Sequence, residues 1–148
     1  MPLKDRIQAD MKAAMRAGDK ARLGTIRMLL AAIKQKEVDE RSELDDAAVL
    51  QIVEKLIKQR REAAAQFTEG GREELAAKEL GEAEQLQAYL PEPLDPAALA
   101  ALIDAAIAET GAGSMRDMGK VMNLIRARAQ GRADMAEVSK QVKARLAG

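Results

Sequence analysis

The stretch Tyr89-Leu90-Pro91-Glu92-Pro93-Leu94-Asp95-Pro96 constrains this chain more than any other, because three prolines fall within six positions. Each proline fixes its own φ, removes a backbone donor and pushes the residue before it out of the helical region. No helix runs through such a stretch, so residues 91–96 read as a stiff, extended connector. It separates an N-terminal domain, 1–90, from a smaller C-terminal domain, 97–148.

On both sides of the connector the apolar residues recur at helical spacing, and no alternating β-branched or aromatic run appears. Leu3, Ile7, Met11, Ala14 and Met15 predict a first helix, with Gly18-Asp19 as its stop and the next start. Leu23, Ile26, Leu29, Leu30 and Ile33 predict a second, running into the acidic, turn-forming residues 39–46. Val49, Ile52, Val53, Leu56, Ile57, Ala64 and Phe67 line a third, ended by Gly70-Gly71. A fourth follows from about Glu73 to Ala88, with the stripe Leu75, Ala76, Ala83, Leu86 and Leu90.

Beyond the connector, Asp95 suits an N-cap with Pro96 at the first helical position. Leu99, Leu102, Ile103, Ala106 and Ile107 line that helix, and Gly111 ends it. Ser114 with Asp117, and Asp134 with Glu137, resemble capping boxes that open two more helices. The fold class expected is therefore all-α and multihelical, with about four helices in the first domain and three in the second. Phe67 and Tyr89 are the only aromatic residues, so Leu, Ile, Val, Met and Ala must build the cores.

The absence of Cys and His excludes disulfides, thiolate nucleophiles, Cys-bound zinc and the usual general base. No Gly-x-x-x-x-Gly-Lys-[Ser/Thr] loop is present to cradle phosphates. The serines are Ser42 in an acidic loop, Ser114 at a cap and Ser139 beside Lys140. No catalytic residue, cofactor or metal site is assigned, and the acidic group Glu73, Glu74, Glu79, Glu82 and Glu84 reads as a solvated face. The chain opens with the charged Met-Pro-Leu-Lys-Asp-Arg and has no run of about 18 apolar residues. A cytoplasmic protein with no membrane role is expected.

The 24 basic and 24 acidic residues cancel, but they are segregated. Residues 1–36 hold nine basic and three acidic side chains, a net +6; residues 37–46 carry −5; residues 111–148 hold eight basic and three acidic, a net +5. Such asymmetry points to polyanions, against the plainer reading of solvated helix faces. Arg116, Lys120 and Asn123 share a face of the sixth helix, Arg126 and Arg128 flank its end, Arg132 sits in the following turn, and Lys140 and Lys143 share a face of the last helix. These eight are the RNA-binding candidates. Lys4, Lys12, Arg16, Lys20 and Arg27 extend the basic surface into the first domain. With no aromatic side chain in the C-terminal half there is no stacking platform, which favours a folded RNA read by shape. The competing class is a helical adaptor whose basic faces dock on an acidic protein partner. Oligomeric state is left open.

Arg60 and Glu79 each interrupt an apolar stripe, ten and eight residues from the Gly70-Gly71 turn. In an antiparallel hairpin they come level, so a structural ion pair that fixes register is expected between them.

Several strings together resemble the GatB/YqeY family: Tyr89-Leu90-Pro91 ahead of a short three-helix unit, Asp117-Met118-Gly119-Lys120-Val121-Met122, Gly131-Arg132-Ala133-Asp134, and, in the first half, Met11-Lys12 and Lys58-Gln59-Arg60-Arg61-Glu62. That family groups small free-standing proteins with the tail of the B subunit of the glutamine-dependent aspartyl/glutamyl-tRNA amidotransferase. The resemblance implies two different helical domains on a partly extended linker and a non-catalytic tRNA-associated role, since the tail touches the outer corner of tRNA. It also carries the label of a carbon-nitrogen ligase with glutamine as amido-N-donor. That activity needs a nucleophile and an ATP site, and neither is evident in these residues.

Overall fold

The computed structural model describes residues 2–147, and the chain divides after Leu90 into two compact units. Among the described residues it is all-α, with helices α1 (Leu3–Ala17), α2 (Lys20–Glu40), α3 (Asp46–Glu69), α4 (Glu73–Gln87), α5 (Pro96–Thr110), α6 (Met118–Ala129) and α7 (Met135–Ala147). A 3-10 turn, Met115–Asp117, leads into α6.

Local chemistry sets most of the boundaries. Asp19, Asp45 and Asp95 each accept a backbone N–H three residues on, from Arg22, Ala48 and Ala98, satisfying donors that a helix start leaves unpaired. Pro96 occupies the first turn of α5, where its missing donor is harmless. Gly18 and Gly111 end α1 and α5 in the left-handed conformation, at φ 68° and 66°. The Ser114 start differs from the expected capping box. Its hydroxyl makes no cap bond, and the Asp117 carboxylate instead accepts the Gly113 N–H at 3.0 Å.

The first unit buries Ile7, Leu29, Ile33, Val49, Val53 and Leu86 at its centre. α3 and α4 form the antiparallel hairpin, turning at Gly70-Gly71 with Gly71 at φ 74°, and α1 and α2 pack onto it. Tyr89 closes the end of this core, its hydroxyl donating to Asp10 at 2.7 Å beneath the Arg6 guanidinium. Two residues expected on buried stripes lie outside them: Met15 is 51% and Leu75 40% exposed. Each sits next in sequence to a buried alanine, Ala14 or Ala76, and one residue is about 100° of helix rotation. The buried stripes are narrower than the apolar runs.

The second unit is a three-helix core around Ile103, Ala106, Val121, Ile125, Val138 and Val142. Residues 91–95 have no regular structure but are held to this unit. The Leu94 N–H donates to the Arg132 carbonyl at 2.9 Å, and Arg132 Nε donates to the Glu92 carbonyl at 2.8 Å.

Candidate functional site

In the C-terminal unit the apolar face of α6 is Val121, Met122, Ile125 and Ala129, all buried. Its opposite face presents Lys120, Asn123 and Arg126, exposed and three residues apart. On α7 the buried line is Val138, Val142 and Leu146, which turns Lys140 and Lys143 outward. Among the described residues, Lys120, Arg126, Lys140 and Lys143 are in no ion pair, so four cations stand exposed to solvent. A lysine in that state is a point charge on a flexible stem, suited to phosphate oxygens.

The structure sorts the remaining candidates differently. Arg116 lies on the 3-10 turn, not on α6 itself, and is exposed beside Met115, which at 44% exposure is not a core residue. The short turn rotates these two residues out of the α6 register. Arg128 pairs with Glu109 of α5. Arg132 is engaged at its side chain and at both backbone groups: its N–H donates to the Ala129 carbonyl at 2.8 Å, besides the two bonds that hold the connector. Arg128 and Arg132 are thus employed by the fold. Not legible in the sequence is Arg145, whose Nε donates to Asp104 at 2.7 Å and ties α7 to α5.

Ser139 is half-buried and Lys140 exposed; as adjacent helical residues they point about 100° apart. Among the described residues, no three carboxylates converge as a metal site requires.

In the first unit Arg60 stands between two carboxylates. Its Nε is 3.8 Å from Glu79 and 3.2 Å from Glu82, and it donates a hydrogen bond to Glu82. All three side chains are about four-fifths covered. Glu82 lies one turn beyond Glu79 on the same face of α4, so the closer partner is the residue nearer the open end of the hairpin.

The Lys4–Glu37 pair joins the start of α1 to the end of α2 at 2.6 Å, and the same carboxylate oxygen accepts the Leu44 N–H at 3.0 Å. Those contacts, the Lys4 bond first, hold the Glu37 carboxyl below its ordinary range, and the bond to Glu37 holds the Lys4 ammonium above its own. The Tyr89 phenol is pushed up to about 12 by burial first and then by its bond to Asp10.

The family model described as Yqey-like protein matches residues 4–146. Three similar curated proteins bear the name "Altered inheritance of mitochondria protein 41, mitochondrial". That of Eremothecium gossypii is 45% identical over 85 residues, 57% of this chain and 46% of that protein. That of Lachancea thermotolerans is 38% identical over 102 residues, covering 68% and 54%. That of Pyrenophora tritici-repentis is 32% identical over 144 residues, covering 93% and 77%. The match spans about half the length of the first of these relatives. The expectation of a cytoplasmic protein is corrected by these names, which are mitochondrial. Charge and hydropathy report on water and lipid, and they do not distinguish one aqueous compartment from another.

Proposed function

The chain belongs to the Yqey-like family, and from that premise we propose that it is a non-catalytic accessory protein that binds folded RNA, tRNA foremost, through phosphate contacts of its C-terminal unit. The observation that supports the reading most is the division of labour among cations there: Arg128, Arg132 and Arg145 are bound within the fold, while Lys120, Arg126, Lys140 and Lys143 project from the outer faces of α6 and α7 and form no ion pair among the described residues. Charges that the fold does not use are available to neutralise phosphates, and each one so engaged releases counterions. The resemblance to the amidotransferase tail supports tRNA as the first RNA to test. An amine-reactive footprint of the full chain checks the reading. Bound tRNA is expected to slow modification of Lys120, Lys140 and Lys143 several-fold. Equal rates with and without tRNA at saturating concentration would refute it.

A further inference from the structure

The outer ridge of α2 carries a second arrangement of free charge. The helix buries Thr25, Ile26, Leu29 and Ile33. Directly opposite run Lys20, Gly24, Arg27, Ala31 and Lys34, all exposed. The cations recur every seven residues, so they lie on one line and span about 21 Å of helix. A small residue, Gly24 or Ala31, separates each from the next, which leaves the ridge low between its charges.

Five other cations of this unit are engaged. Lys4 bonds Glu37, Arg22 pairs with Asp10, Lys36 pairs with Glu40, Arg6 covers Tyr89, and Arg60 holds Glu82. Lys20, Arg27 and Lys34 are in no ion pair among the described residues; Lys34 acts on Glu37 only through space. The acidic residues of α2, Glu37, Asp39 and Glu40, are confined to its last turn, so no carboxylate interrupts the line.

Gly24 adds an independent point. It sits in the helix interior, where glycine destabilises relative to alanine. A Cβ built there would meet no atom within 4 Å, so nothing in the fold requires its absence.

We propose that the Lys20-Arg27-Lys34 ridge of α2 is a docking strip for the phosphate backbone of a nucleic acid, with Gly24 allowing close approach between two of the cations. A linear, unbroken positive row complements a linear array of negative charge, and it carries no aromatic side chain, so it grips backbone without reading bases. The inference deepens the RNA-binding reading by adding a surface in the other unit, and it rests on that reading.

Equilibrium titration of the full chain with tRNA across a salt series tests it, with two multiple variants kept separate. Lys20→Gln/Arg27→Gln/Lys34→Gln is expected to flatten the slope of log K against log salt by about 2 to 3 units. Gly24→Gln is expected to raise Tm by several degrees and yet weaken binding at least threefold, a combination that a purely structural glycine would not produce. If the wild type binds and Lys120→Gln/Lys140→Gln/Lys143→Gln flattens the slope while the ridge variant keeps it, the ridge proposal fails and the C-terminal reading stands. Tighter, ridge-dependent capture by phosphatidylserine vesicles at equal phosphate would overturn the nucleic-acid assignment. No binding of tRNA by the wild type removes both.

Discussion

Arg132 Nε donates to the main-chain carbonyl of Glu92 at 2.8 Å, so the turn between α6 and α7 grips the proline-rich segment forty residues before it. The Arg132 carbonyl completes the clamp by accepting the Leu94 N–H. Three prolines leave this segment few donors of its own, and a carbonyl that cannot join a helix needs a partner elsewhere. Arg132→Ala is expected to destabilise the C-terminal unit by about 1 kcal/mol, the scale of one partly exposed charged hydrogen bond. Urea unfolding followed by helicity measures it, and Arg132→Lys, which keeps the charge but loses the planar fork, should recover less than half. A neutral Arg132→Ala would mean the connector is held by packing alone.

The hairpin pair gives a ranking. Because Glu82 accepts the Arg60 hydrogen bond at 3.2 Å while Glu79 stands at 3.8 Å, Glu82→Gln should lower stability more than Glu79→Gln, by about 1 kcal/mol against about half that. Chemical denaturation of the two single variants decides the order. Equal effects, or the reverse order, would show that the two carboxylates share the guanidinium evenly or exchange it.

The Lys4–Glu37 contact makes stability pH-dependent at both extremes, with signs that follow from the two shifts. Glu37 is depressed below its ordinary 4.5, so its contribution is present above that value and is lost as pH falls through the lower folded value. Lys4 is raised above its ordinary 10.5, so its contribution is present below that value and is lost as pH rises through the higher folded one. The difference in Tm between wild type and Glu37→Gln should therefore be constant from about pH 6 to 9 and shrink on acidification below 4.5. A difference that persisted unchanged to pH 2 would show that the carboxylate charge contributes nothing.

Tyr89 is the only tyrosine, so its ionisation is observable without assignment. Spectrophotometric titration should place the phenol near 12 in the folded chain, against 10 in denaturant. Raising a phenol's folded value adds stability below 10 that disappears as pH climbs through 12. Tyr89→Phe, which leaves the Asp10 carboxylate without its donor, should lower stability by about 1 kcal/mol at neutral pH.

How far the sequence discloses this molecule depends on the kind of feature. Helix ends are legible because Asp45, Asp95, Gly18 and Gly111 act on backbone groups a few residues away. The all-α class is legible because 3.6-residue periodicity is local in the same way. Exposure at the margin of a stripe is less so: Met15 and Leu75 are apolar and adjacent to core positions, yet a single step of helix rotation places them in solvent. Least legible is the employment of a charge. Arg116 and Lys120 have the composition of Arg128 and Arg132, but whether a cation is free depends on Glu109 and on the Glu92 carbonyl, nineteen and forty residues distant. The line Lys20, Arg27, Lys34 could be read from its sevenfold spacing alone, whereas its freedom from ion pairs could not.

The salt dependence of tRNA binding by the full wild-type chain, followed by fluorescence anisotropy at constant pH, decides whether the C-terminal unit engages RNA through phosphate. If phosphate contacts by the four free cations of α6 and α7 carry binding, log K falls linearly with log salt with a slope steeper than about −3, and Lys120→Gln/Arg126→Gln/Lys140→Gln/Lys143→Gln removes most of that slope while helicity is retained. A wild-type chain that does not bind tRNA at low salt, or a quadruple variant that keeps the full slope, would contradict the account.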